Sequence, residues 1–208
     1  KKELVLEIFK KNNISLPQEV ASQARLPAGQ ASNDNSVDEV LATTHYRNKA
    51  AYSFMNHKGK LEFALYTRGT SGYEKIVQGD NLLVHSMINQ AGKKFLQFFR
   101  QKKGSLESLK YLILRYSYST NSIVAHILVT ETNRKKLPWK KSDLETFIER
   151  NPEVQGILIS HSEPNVRSTH TTKDFYEVGN INITEEMGEK KYGYHPSQFF
   201  QIYPQAFS

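Results

Sequence analysis

Lys110-Tyr-Leu-Ile-Leu-Arg-Tyr-Ser-Tyr-Ser-Thr-Asn-Ser-Ile-Val-Ala-His-Ile-Leu-Val-Thr130 is the stretch on which the fold turns. Lys110 to Tyr118 and Ser122 to Thr130 are dominated by β-branched, aromatic and leucine side chains, and Ser119-Thr-Asn121 between them is turn chemistry. Two strands joined this tightly run antiparallel. Alternation sets Leu112, Leu114 and Tyr116 on one face and Tyr111, Ile113 and Arg115 on the other. Upstream, Lys49 to Asn56 and Leu61 to Arg68 form another pair through His57-Lys-Gly-Lys60, where Gly59 can take the positive φ of a hairpin turn. Tyr73 to Val77 is a short third strand. Asp80 or Asn81 then caps a helix to about Lys103, with Leu83, Met87, Ala91, Phe95 and Phe99 near its repeat and Gly104 closing it. Downstream, the basic run Arg134 to Lys141 is a loop. Ser142 caps a helix to about Arg150, Asn151-Pro152 stops it, and Gln155 to Ser160 is a buried strand. This order predicts an α+β fold over residues 45–208, a mostly antiparallel sheet with two main helices packed on one face.

Two other segments precede that body. In residues 1–12, Leu4, Val5, Ile8 and Phe9 lie on one face of an amphipathic helix. The pattern starts without Met and in mid-stride, as expected of a piece cut from a longer protein. Residues 13–44 mix breakers with small polar side chains and lose apolar periodicity, as a linker or mobile loop does.

Composition narrows the chemistry. The 208 residues hold 28 Lys plus Arg against 21 Asp plus Glu, a net charge of +7 that suits polyanionic partners. No run approaches a membrane helix and there is no leader pattern, which predicts a cytoplasmic protein with no membrane partner. With zero cysteines, the chain contains no disulfide, thiolate metal site or cysteine nucleophile. Its histidines show no metal-ligand spacing, so no metal is expected. None of them, His161 beside Ser162 and Glu163 included, is assigned a catalytic role. Glu185, Glu186 and Glu189 alternate with Lys190 and Lys191 around Gly188 and are expected to be surface charge. Ser162 to Lys173 is expected to be an exposed excursion.

Two motifs invite a binding role. In Tyr46-Arg-Asn-Lys-Ala-Ala-Tyr-Ser-Phe54, Arg47 and Lys49 share a strand face and suit successive phosphates, although charges on a solvated edge strand look the same. In His195-Pro-Ser-Gln-Phe-Phe-Gln-Ile-Tyr-Pro204, a terminal strand between two prolines places Phe199 and Gln201 on one face. A ring and an amide side by side can hold a planar heterocycle, and a core strand with a satisfied glutamine is the plainer alternative. Trp139, among basic residues, is either a base-stacking platform or a core anchor.

Together these two motifs resemble the middle part of the S-adenosylmethionine-dependent RNA uracil-5-methyltransferases, which modify tRNA or ribosomal RNA. That family has a Tyr-Arg-Asn-Lys-like strand at the head of its central domain and, later, a Ser-Pro-x-Ser-Phe-Phe-Gln-Val-Asn-Pro-like strand leading into the methyl-donor domain. The likeness covers roughly residues 44 to 208, and Tyr203 stands where the family usually has Asn. It implies that Phe199 and Gln201 lie beside the methyl donor and the target base, and that Arg47 and Lys49 meet RNA. For the parent enzyme it implies a cysteine thiolate adding to carbon-6 of a flipped uracil. Carbon-5 then takes the methyl group, and a base removes the proton before the cysteine leaves. No catalytic residue is expected in this chain: the cysteine, the glutamate base and the Gly-rich donor loop are expected beyond Ser208. The other function class is a stand-alone basic α+β module that binds RNA or protein without chemistry.

Overall fold

The structure, a computed structural model, describes residues 44–66, 74–77, 79–102, 104–165 and 169–204. The helix expected at residues 1–12, and the linker expected at 13–44 apart from Thr44, lie outside the described residues. In chain order the elements are β1 (Lys49–His57), β2 (Lys60–Tyr66), β3 (Glu74–Ile76), α1 (Ser86–Arg100), α2 (Ser105–Ser108), β4 (Leu109–Ser117) and β5 (Ser122–Val129). A 3₁₀ turn (Arg134–Lys136), α3 (Lys141–Arg150), β6 (Val154–His161), β7 (Lys173–Gly179), β8 (Ile183–Met187) and β9 (Lys190–Tyr194) follow.

Seven strands form one sheet in the order β3-β2-β1-β4-β5-β6-β7, and β8 and β9 pair separately. Five of the six pairings in the large sheet are antiparallel, and β5–β6 is parallel. A parallel neighbour needs a crossover, which the 3₁₀ turn and α3 provide. The β1–β2 turn has Lys58 at φ 52° and Gly59 at φ 80°, both in the left-handed region that a two-residue hairpin loop requires. Asn56 Oδ1 accepts from Gly59 N at 2.9 Å and fixes the turn.

Both long helices lie on one face of the sheet. Leu112, Leu114, Tyr116, Ile123, Ala125 and Ile127 share a core with Ile88, Ala91, Phe95 and Phe99 of α1, Leu144 and Phe147 of α3, and Trp139. The apolar stripe of α1 differs from expectation, since Leu83 is 45% exposed and precedes the helix. The cap differs too. Asn81 Oδ1 is occupied by Leu83 N, residues 82–83 form a turn closed by Val84 N on Asn81 O and Val84 bridges to Arg47, so the helix is capped only at His85, whose Nδ1 accepts from Met87 N. For α3 the cap is Lys140 in place of Ser142, because Asp143 reaches back to accept from Lys140 N at 2.8 Å.

Two glycines stand in register across β6 and β7, Gly156 opposite Gly179. Gly179 has φ 69°, and a Cβ there would overlap the Gln155 carbonyl oxygen. Left-handed backbone and overlap act together. Gly179→Ala is expected to cost about 2 kcal/mol in urea unfolding, and a midpoint shift equivalent to a few tenths would show that the β7 end relaxes freely.

Candidate functional site

The face of the sheet away from the helices carries an unusual amount of polarity for buried strands. Alternation along β1, β4, β5 and β6 turns Lys49, Arg115, His126 and Ser160 to this side, and Asp174 of β7 pairs with Ser160. Arg115, His126 and Ser160 are all buried. Over them lie the β8–β9 hairpin and the 195–204 segment. A small apolar cluster of Val124, Leu158, Ile181, Ile183 and Tyr194, with Phe200 packed against it, anchors that cover.

The 195–204 segment is not a strand, contrary to the sequence reading. Pro196 cannot donate to a ladder, and the chain makes a turn in which Gln198 N bonds to His195 O at 2.9 Å. Gln198 Oε1 accepts from His195 N, also at 2.9 Å. Arg115 holds this turn from below: its Nε donates to Pro196 O at 3.1 Å and its Nη2 to Gln198 O at 2.6 Å. Its guanidinium lies 5.5 Å from the centre of the Tyr194 ring. Phe200 stacks on Tyr194 with centroids 4.1 Å apart and planes within 9°. Phe199 turns the other way and is 84% exposed. Gln201 is also exposed, and among the described residues its amide has no hydrogen-bond partner. Both therefore present free recognition groups, though not as neighbours on one strand face.

The two motifs meet. Asn48 N donates to Ile202 O at 2.9 Å, and the Tyr46 and Tyr203 rings pack edge to face at 5.3 Å. Tyr203, the departure from the family pattern, thus closes an aromatic contact. Arg47 is half-buried and precedes β1. Its Nε donates to the Tyr46 hydroxyl at 3.2 Å, and its backbone bonds to Leu83 and His85. Lys49 sits on β1 directly opposite Arg115 and, like Arg47, is half-buried where an exposed strand face was expected. Burial, then the Arg115 charge, lowers the Lys49 pKa. Burial likewise lowers that of Arg115.

His126 is strongly perturbed by its surroundings. Burial pushes it down to about 4, so the ring is neutral at pH 7. Ser160 donates its hydroxyl to Asp174 at 2.5 Å, which makes His126 Nε2 the donor to Ser160 Oγ at 2.8 Å. A second correction concerns Glu185, expected on the surface but wholly buried. It accepts from Tyr118 N and from Ser119 Oγ, both at 3.2 Å, while Ser117 Oγ donates to Thr184 O at 2.6 Å. These bonds dock the β8–β9 hairpin on the β4–β5 turn, and burial raises the Glu185 carboxyl above its usual range. Ser162, placed in an exposed excursion by sequence, is buried and donates to His170 O at 2.7 Å. Trp139 is core, 1% exposed. Among the described residues no group of three or more His, Cys, Asp or Glu is placed to hold a metal, and no helix is long and apolar enough to cross a membrane.

Arg115, His126 and Glu185 were missed by sequence reading. Their signal was present: each is a charged or titratable residue inside a strand whose neighbours are apolar or paired.

The chain is 26% identical over 180 residues to an uncharacterized RNA methyltransferase of Geobacter sulfurreducens, covering 79% of this chain and 35% of that protein. An uncharacterized RNA methyltransferase of Bacillus cereus is 25% identical over 168 residues, 77% of this chain and 35% of the relative. The chain is similar over most of its length to proteins described as RNA methyltransferases. It spans about a third of the length of these methyltransferases. In fold it resembles the Pyrococcus abyssi tRNA (uracil-54, C5)-methyltransferase, solved with S-adenosyl-L-homocysteine, with a TM-score of 0.56 and 17% identity over 79% of this chain and 39% of that one. No family model matches. The two segments singled out in the sequence, Tyr46 to Phe54 and His195 to Pro204, are brought into contact by the structure.

Proposed function

We propose that this chain is the central domain of an S-adenosylmethionine-dependent methyltransferase that acts in the cytoplasm on carbon-5 of a uridine in tRNA or ribosomal RNA. The supporting observation is the likeness in sequence to proteins described as RNA methyltransferases over 79% of the chain. The meeting of the Tyr46 and 195–204 segments adds to it. Phe199 and Gln201 suit the wall of a pocket for planar groups, because a ring 84% exposed and an unengaged amide can stack on and hydrogen-bond to a heterocycle. S-adenosylmethionine supplies the electrophilic methyl carbon when bound. The Gln201 amide donates to a uracil carbonyl and accepts from the ring N–H, orienting carbon-5. With no cysteine among the 208 residues, the thiolate this chemistry uses comes from outside them, and the chain alone does not methylate. Arg47 and Lys49 contribute positive charge to RNA binding.

The test is Gln201→Ala in the whole protein that carries these residues. An amide lost from a desolvated pocket is worth about 1 to 3 kcal/mol, so single-turnover methylation of RNA should fall about ten- to hundredfold while RNA affinity holds. Full activity in a folded variant would overturn the role of this segment. Methyl transfer by the 208-residue chain alone, surviving repurification, would overturn the division of labour.

A further inference from the structure

Lys49 and Arg115 face each other across β1 and β4. Side chains directly opposite in an antiparallel pair lie about 5 Å apart at Cβ, and like charges there are destabilising. In water that repulsion is screened; here Arg115 is 3% exposed and Lys49 is half-buried, so desolvation adds to it. Among the described residues no carboxylate forms an ion pair with either. Arg115 Nε and Nη2 are met by neutral carbonyls, while Asp174 is engaged by Ser160.

Between them the sheet and the 195–199 turn enclose a cavity of about 210 Å³, lined by Lys49, Ile113, Arg115 and His126 below and by Ser197 and Phe199 at its rim. His126 is 1% exposed, and its Nδ1 has no hydrogen-bond partner. Since Nε2–H is committed to Ser160, the neutral ring offers a lone pair at Nδ1. What completes this cavity brings negative charge for the two cations and a hydroxyl or N–H for the imidazole. A nucleotide brings both.

We propose that this cavity is a nucleotide-phosphate site, which takes one phosphate of an RNA strand between Lys49 and Arg115. The choice of RNA as the source rests on the function proposed above, whereas the anion site itself does not. Phe199, exposed at the rim, is placed to stack on a base of the same strand. Arg115 has a double duty: it shapes the turn through the carbonyls of Pro196 and Gln198 and presents charge to the phosphate. Lys49, free of such bonds, is the residue to test.

The experiment titrates the 208-residue chain with a fluorescein-labelled decauridylate at several salt concentrations, and follows thermal unfolding with and without inorganic phosphate at constant ionic strength. Loss of one single-strand phosphate contact lowers the salt slope by about 0.7, or about fivefold in affinity at 0.1 M salt relative to 1 M. Lys49→Gln is expected to show that loss and, without ligand, to melt higher than wild type, because removing a functional like-charge pair relieves strain. Lys136→Gln, in the loop leading to the helix-side core, should change neither. Phosphate should raise the melting temperature of wild type and not of Lys49→Gln. If decauridylate binds but Lys49→Gln matches wild type in slope and affinity, the site is wrong and the RNA reading stands. If phosphate stabilises wild type alone while decauridylate does not bind, the anion site stands and the RNA reading fails. No response to either ligand overturns both, and a Lys49→Gln that melts lower without ligand overturns the strained pair.

Discussion

Trp139→Ala should destabilise the protein by about 3 to 5 kcal/mol, the cost of emptying a large aromatic site in a packed core. The indole is 1% exposed and packs on Phe99 with centroids 5.3 Å apart and on Phe98 at 6.4 Å. It is fed into that core by a short 3₁₀ turn of three basic residues, Arg134–Lys136. The site cannot collapse easily, because Phe98 and Phe99 are fixed on α1 and Leu144 and Phe147 on α3. For a domain of this size each kcal/mol is about 2 to 4 °C, so the melting temperature should drop by roughly 10 °C. Trp139 is the single tryptophan, and its fluorescence reports folding of wild type directly. A loss below about 1 kcal/mol, with water-exposed emission in the folded wild type, would put the indole outside the core and restore it as a base-stacking platform.

The second large effect is a dependence of stability on pH carried by His126. Its folded pKa is lowered to about 4 from an ordinary 6.5, chiefly by burial. Above 6.5 the ring is neutral whether the chain is folded or not, so it contributes nothing to the slope. Between 6.5 and 4 the unfolded chain takes up a proton that the folded one refuses, and stability falls as pH falls. Below about 4 the folded form is protonated too and the loss levels off. At about 1.4 kcal/mol per unit the full change is about 3 kcal/mol. Glu185, whose pKa burial raises, acts with the opposite sign, gaining stability as it is protonated. The measurement is therefore a difference: urea unfolding of wild type and His126→Gln across pH 7.5 to 3.5. The variant should lack the loss that wild type shows, and parallel curves would mean that the imidazole titrates normally in the folded state.

Strand and helix periodicity made much of this architecture legible. The β4–β5 and β1–β2 hairpins, the two long helices and their common face all follow from apolar spacing and from Gly59 and Asn121 at the turns. Periodicity could not say that β6 runs parallel to β5, since a buried run such as Gly156 to Ser160 looks alike in either direction. It also passed over β7, because Lys173, Asp174 and Glu177 dilute the alternation around Phe175, Tyr176 and Val178. At the candidate site, proximity in space was the hidden quantity. Phe199 and Gln201 were singled out on a strand that Pro196 and Arg115 convert into a turn. Glu185 looked like one of several surface charges because its partners, Tyr118 and Ser119, lie far away in sequence. Lys49 was singled out beside Arg47 as a phosphate contact, while its cross-strand neighbour Arg115 went unnoticed on another hairpin.

The central position of the β4–β5 hairpin has a consequence for how the chain is made. Its turn closes over four residues between Ser117 and Ser122, whereas Lys49 meets Arg115 only after a long excursion through β2, β3 and α1. Loop closure costs more entropy the longer the loop. During synthesis β1 therefore emerges with one edge bare, long before β4 exists to cover it. An open edge is a template for a stray strand. Lys49 at the start of that edge repels such partners, and the charge that sits uneasily inside the finished sheet protects the unfinished one.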